Sequence, residues 1–333
     1  MPSHSQPRGT KSHQHTADIS SMSAARSSSK TAPPTPRRDG FHLIPATPIQ
    51  YDIDLTPKYK FQDITYKIST ADQCGRIAFN RPNVLHAFRP TTINEFRQAL
   101  ELAQDDVRVA VILFASEIDE KNRTPAFCAG GDQSVRSAGG GYDDGSESVP
   151  RLRVLDLQIQ MRRCPKPIIA VVRGYAIGGG HILHMLADIT LAGDDAVFGQ
   201  TGPRMGSFDA GYGSTHMARL IGQKRAREMW FLARFYSAEE AKEMGLINDY
   251  FANAKLEGEV GRWVRRIVMN SPTAIACTKA ALNADEDGPG AGVALLGGHL
   301  TRLFYMSEEG KEGREAYLEG RAPLFRKVPS SRL

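Results

Sequence analysis

The chain has 333 residues, 41% of them hydrophobic, with 42 Lys/Arg against 37 Asp/Glu for a formal charge of +5. That length suits one large domain or two small ones, and no apolar run reaches the roughly 20 residues that a membrane-spanning helix needs. Residues 1–50 hold six bases (Arg8, Lys11, Arg26, Lys30, Arg37, Arg38) against two acids (Asp18, Asp39), so four of the five charges sit there. A basic tail on a nearly neutral body argues against a nucleic-acid-binding domain.

Residues 1–40 are rich in Ser, Pro, Thr and Arg. Such a segment buries too little surface to offset its ordering entropy. A disordered tail over 1–50 is expected, with an organellar transit peptide as the minority reading. From Phe61 the pattern turns globular. Ile64–Ile68 and Arg76–Phe79 read as strands, and Asn80-Arg81-Pro82 ends the second. Ile93, Phe96, Leu100 and Ala103 predict a helix over 91–103, capped by Thr91 or Thr92. Val107–Phe114 reads as a buried strand. Helices follow over 152–161 and 180–186, and strands over 168–172 and 189–192. This alternation predicts an α/β fold with crossover connections. Beyond Ser214 helices dominate, over 226–233, 238–244, 256–267 and 274–284, with Gly245 as a C-cap.

The four cysteines (Cys74, Cys128, Cys164, Cys277) are scattered and form no CxxC pair. Neither a metal site nor a disulfide framework is expected, and a reducing compartment fits. The terminal Ser331-Arg332-Leu333 resembles the Ser-Lys-Leu address, so a peroxisomal location is expected, with cytoplasm, plastid or mitochondrion as alternatives.

Three glycine clusters carry the chemistry. Phe127-Cys-Ala-Gly-Gly-Asp132 and Tyr175-Ala-Ile-Gly-Gly-Gly-His181 each follow a strand, and the second opens a helix. Such junctions present unhindered N–H groups, and two that converge make an oxyanion hole. Two tight turns would explain each cluster alone. Neither reads GxGxxG in a βαβ context, so no nucleotide redox cofactor is expected. The third cluster, Phe198–Gly213, mixes Gln200, Thr201, Ser207 and Asp209 with glycines.

These segments, with Pro165-Lys-Pro-Ile-Ile-Ala170 and Asn80–Pro90, resemble the crotonase (enoyl-CoA hydratase/isomerase) superfamily over about Asp63 to Phe325. Gly130-Gly-Asp-Gln133, Gly180-His-Ile-Leu-His184, Phe198–Gly213, Arg227-Glu-Met-Trp-Phe231 and Phe304-Tyr305-Met306 resemble its naphthoate synthase branch. The resemblance implies a ClpP-like crotonase fold with a ββα superhelix core over 51–255. It also implies a C-terminal helical trimerisation region over 256–333, and trimers paired into a homohexamer.

The branch closes a ring. o-Succinylbenzoyl-CoA loses a proton beside the thioester, and the enolate attacks the free carboxyl carbon. Loss of water gives 1,4-dihydroxy-2-naphthoyl-CoA, a naphthoquinone precursor. The resemblance assigns the thioester oxygen to the N–H groups of Gly131 and Gly179. Ala129, Gly130, Asp132, Gln133, Tyr175, Ala176, Ile177 and Gly178 form the surrounding acyl-CoA site. Ser207 and Tyr142 bond the substrate's carboxylate or ketone, and Asp209 supplies its proton, although an Asp there can equally cap a turn. Tyr142 lies in a loop, Gly139–Gly145, expected to order over substrate. Tyr305 reaches a neighbouring subunit's site. Gly202 stands where one subtype carries Asp and the other recruits bicarbonate, so a bicarbonate cofactor held by Gln200, Thr201, Gly202 and Trp230 is implied. His181 and His184 read as structural. Where relatives carry basic residues near CoA phosphates this chain has Leu85, Ser134 and Gly320, while Arg136 remains. The rivals are another crotonase hydration or carbon–carbon hydrolysis, and a silent crotonase-like protein binding RNA or a partner through its tail.

Overall fold

The computed structural model describes residues 40–118, 125–136, 141–143, 152–209, 211–288, 290, 292 and 296–325. The tail up to residue 39, most of the Gly139–Gly145 loop and the terminal Ser331-Arg332-Leu333 lie outside them.

Eleven strands form two sheets among the described residues. The large sheet has the order β1 (Ile53–Asp54), β2 (Ile64–Ser69), β3 (Cys74–Phe79), β4 (Val111–Ser116), β6 (Ile168–Val172), β8 (Ile189–Gly193), β11 (Asp249–Phe251). It is antiparallel from β1 to β3 and parallel from β3 to β11. The small sheet orders β10 (Phe235–Ser237), β9 (Val197–Gly199), β7 (Tyr175–Ile177), β5 (Ala126–Cys128), with β9, β7 and β5 mutually parallel.

The chain alternates between the sheets. A large-sheet strand, a small-sheet strand and a helix make one turn, and three turns follow one another. They are β4–β5 with α3 (Val154–Arg163), β6–β7 with α4 (Gly179–Leu186), and β8–β9 with α5 (Gly213–Ile221). This is the ββα superhelix, and its parallel strands need crossovers of this kind.

Both faces of the large sheet are buried, which explains its nearly continuous apolar strands. Ile77, Phe79, Ile112, Phe114, Ile168 and Ala170 face α2 (Pro90–Asp105), α3 and α4 in one core. Alternate residues Cys74, Ala78, Val111, Leu113, Ile169 and Val171 face Leu256, Val260 and Val264 of α8 (Asn253–Val268) in a second. Helix α8 therefore spans the expected 255/256 boundary. Residues 41–49, read as tail from composition, lie along the same helix. Arg262 donates to the Ile44 carbonyl (3.0 Å), Arg265 to those of Pro45 and Thr47 (both 3.0 Å), and Ile49 is buried.

Two local expectations are corrected. Helix α2 starts at Pro90, whose fixed φ suits a first helical position. Its N-cap is Arg89, and Thr92 caps from inside the helix: its Oγ1 accepts from the Arg89 N–H at 3.1 Å as part of a capping box. Val107 is not in a strand: it is 96% exposed. Asp106 makes the turn instead, accepting from Arg108 N on its side chain (2.9 Å) and Val109 N on its carbonyl (3.0 Å).

Candidate active site

The three glycine clusters meet because β5, β7 and β9 are parallel neighbours. Their carboxyl ends lie side by side, and the segments that leave them are Ala129–Gln133, Gly178–Gly179 and Gln200–Ser207. Crevices at such strand ends are where open α/β sheets bind ligands. A cleft of about 420 Å³ lies here. Its wall includes Ala129, Gly130, Gly131, Gln133, Arg136, Tyr142, Ile177, Gly178, Gly179, Gln200, Thr201, Gly202, Ser207 and Trp230.

The backbone of 129–132 is held from behind. Ala129 N donates to Leu85 O (3.0 Å), Phe88 N to Gly130 O (2.8 Å) and Asp132 N to Phe88 O (2.9 Å). Asp132 pairs with Arg81 at 3.0 Å and accepts from the Ser134 N–H at 3.0 Å. Burial alone would lift its carboxyl, but the bonds from Ser134 and Arg81 outweigh that and hold it below the usual range.

Gly130 (φ 91°) and Gly178 (φ 57°) turn through the left-handed half of backbone space, which glycine enters without a Cβ penalty. A Cβ on Gly130 would sit 3.2 Å from Gly179 N, so the two turns approach closely. The N–H groups of Gly131 and Gly179 have no acceptor among the described residues. Gly179 opens α4, whose aligned peptides favour negative charge at that end. Two free donors at one cleft can stabilise an oxyanion.

Tyr142 reaches this point through a bridge between Arg136 and Tyr142. A Cβ on Gly131 would lie 2.5 Å from its hydroxyl oxygen, and Gln133 Nε2 donates to that oxygen at 3.3 Å. Arg136 donates to Met205 O (3.2 Å) and Gly206 O (3.0 Å), tying the first cluster to the third.

On the opposite wall Gln200 is buried, and its Nε2 donates to Gly178 O at 3.3 Å. The Trp230 indole N–H, on α6 (Gln223–Leu232), is buried without an acceptor among the described residues. A Cβ on Gly202 would meet Ser207 O at 3.0 Å and Trp230 Cζ3 at 3.1 Å. No Asp or Glu belongs to the cleft wall among the described residues.

A family model described as enoyl-CoA hydratase/isomerase matches residues 70–328. The chain belongs to the enoyl-CoA hydratase/isomerase, or crotonase, family. Solved relatives agree. An enoyl-CoA hydratase subunit I from Geobacillus kaustophilus HTA426 is 28% identical, with TM-score 0.59, over 79% of this chain and 98% of that one. Enoyl-CoA hydratases from Mycobacterium smegmatis and Bacillus anthracis are each 25% identical with TM-score 0.60. The first covers 80% of this chain and 100% of its own, the second 79% and 98%.

Not every residue assigned to this crotonase site is on the wall. Asp209 is not: its Oδ1 accepts from Gly211 N and Gly213 N (both 3.0 Å) and its Oδ2 from Ser214 N (2.6 Å). Those bonds fix the start of α5, the turn-capping alternative for this residue. Asp132 supports the loop from behind. Tyr175 and Ala176 lie in β7 outside the wall, and Tyr305 is exposed on the helix Thr301–Met306. His181 and His184 are fully buried, with His184 Nε2 3.1 Å from His181 Nδ1. Burial pushes His181 down to about 3, and His184, beside His181, is lowered well below its usual value. Cys128 lies under the Gly130 turn, and burial pushes its thiol up to about 12, so it is no nucleophile at neutral pH.

Sequence reasoning missed Phe88, Leu152, Val154, Gln158, Ile182, Met205 and Phe208 as wall residues. Only Gln158 left a usable signal. It is a polar residue at a core-facing position of α3, with Val154, Leu157 and Met161.

Proposed function

We infer that this crotonase closes the ring of o-succinylbenzoyl-CoA to give 1,4-dihydroxy-2-naphthoyl-CoA. The observation that carries the inference is the wall beside the oxyanion donors. It pairs a buried, unpartnered Trp230 N–H with a glycine at 202, and among the described residues it carries no carboxylate. Hydration by paired glutamates has no glutamate to use among the described residues of this wall.

Removing a proton beside a thioester demands a base within hydrogen-bond reach. The donors present suit bicarbonate: Trp230 has an unpartnered N–H, Thr201 a hydroxyl and Gln200 an amide, all on the cleft wall with Gly202. When bound, bicarbonate supplies that base. The chain's own residues do the rest. The Gly131 and Gly179 N–H groups hold the thioester oxygen as it becomes negative. Tyr142 and Ser207 present hydroxyls to the free carboxylate or ketone, and protonation there lets the carboxyl carbon accept the enolate and then lose water. Asp209 holds the segment that follows Ser207 in place.

Exposed Phe304, Tyr305, Met306, Tyr317 and Leu318 give the C-terminal helices an apolar face suited to burial in a homohexamer. There Tyr305 would meet a neighbouring subunit.

The test is direct. The protein is mixed with o-succinylbenzoyl-CoA, and absorbance of the naphthoyl product is followed, with crotonyl-CoA hydration in parallel. Ring closure supports the reading. Hydration of crotonyl-CoA with no naphthoyl product would overturn it in favour of another crotonase activity.

A further inference from the structure

Gln158 is fully buried on α3 and lies on the wall of the cleft. Its Oε1 accepts from the Tyr212 N–H at 3.3 Å. A backbone N–H can only donate, so this bond fixes which end of the amide is oxygen. The remaining end, Nε2, is buried and has no acceptor among the described residues. Leu152, Val154 and Ile182, on the same wall, are apolar and supply no acceptor side chain.

A buried amide donor left unpaired loses its water without compensation. An apolar acyl chain packed against it would keep that penalty. An acyl chain bearing an oxygen acceptor would remove it. Sites built this way reject analogues that lack the matching polar atom.

We propose that the Gln158 amide N–H is a specificity determinant that donates to a carbonyl oxygen carried by the acyl group beyond its thioester. The substrate class is therefore an oxo-acyl-CoA rather than a simple alkyl or alkenyl thioester. This rests on the acyl-CoA reading of the site but not on ring closure.

Binding of unreactive pairs tests it without turnover. Dissociation constants are measured by calorimetry for hexanoyl-CoA against 5-oxohexanoyl-CoA, and for butyryl- and octanoyl-CoA against their oxo counterparts. The wild type is expected to favour at least one oxo member by about tenfold or more. Gln158→Leu is expected to abolish that preference while binding the alkyl member as well or better. Gln158→Glu, studied at a pH where the new carboxylate is ionised, keeps an acceptor for Tyr212 N–H but has no donor. It is expected to lose the preference too.

A wild type with no preference at any chain length overturns the proposal. So does a Gln158→Glu variant that keeps the preference, because the side chain would then act only by holding Tyr212. Should Gln158→Leu fail to fold, Gln158→Glu alone decides. Ring closure can fail independently: the oxo preference would stand while o-succinylbenzoyl-CoA goes unconverted.

Discussion

The Trp230 ring occupies the space beside Gly202 so closely that a Cβ there would lie 3.1 Å from Trp230 Cζ3. Residue 202 is thus tightly confined between the Ser207 carbonyl and the benzo edge of Trp230, which favours glycine there. Gly202→Asp would place a carboxylate at the proposed bicarbonate site. Crowding against Ser207 O, 3.0 Å from the added Cβ, is expected to lower stability by about 1–3 kcal/mol. Ring closure by the variant is expected to proceed without added bicarbonate, as initial rates in depleted buffer will show. A variant that stays bicarbonate-dependent while folded argues against that site.

Trp230→Phe keeps an aromatic ring and removes the unpartnered N–H. The donor has no partner to lose, but the smaller ring leaves a gap where Trp230 packs against the core, so a stability loss of about 1–2 kcal/mol is expected in thermal denaturation. Turnover at low bicarbonate is expected to fall by about tenfold, and to recover in part when bicarbonate is raised. A rate loss that no bicarbonate concentration reverses would give the indole a different role.

Asp209 and Gln158 divide the N–H groups of residues 211–214 between them. Asp209→Ala strands three donors and is expected to cost about 1–3 kcal/mol, read in chemical denaturation. Asp209→Asn keeps one acceptor oxygen and is expected to recover about half of that, with activity following stability. An Asn variant that is as stable as the wild type but inactive would return Asp209 to the role of proton donor.

Three histidines are held neutral. Burial lowers His86 to about 4 and His181 to about 3, with His184 well below 6.5. The unfolded chain, with values near 6.5, takes up protons first as pH falls. The stabilising contribution is therefore complete above about pH 6.5 and is lost on acidification toward the folded values. The loss approaches about 1.4 kcal/mol per pH unit for each histidine. Melting temperatures between pH 7 and pH 5 are expected to drop steeply, and less steeply in His181→Phe. A flat profile would mean that these rings are charged or exposed.

Most of the fold was legible. The apolar runs of β3 and β6 and the helical spacing of α2 and α8 survive as read, and that of β4 does from Val111 onward, because sheet and helix burial impose periods of 2 and 3.6. The small sheet was not legible. Its three-residue strands β5, β7, β9 and β10 are too short to show a period, yet they bring the glycine clusters together. The glycines marked the cleft because a close backbone approach needs them. Asp209 was ambiguous for a related reason: an acid among glycines looks the same whether it faces substrate or caps a helix. Gln158 stood out as one polar residue on a buried face, but its role could not be read from that, since its free N–H emerges only from the bond to Tyr212.

The most direct test is the dependence of ring closure on bicarbonate. Initial rates on o-succinylbenzoyl-CoA are measured in bicarbonate-depleted buffer and after bicarbonate is restored. A cleft wall whose described residues include no carboxylate predicts a rate that falls by about tenfold or more on depletion and returns on restoration. An undiminished rate in depleted buffer would contradict it, placing the base on a residue of the chain itself.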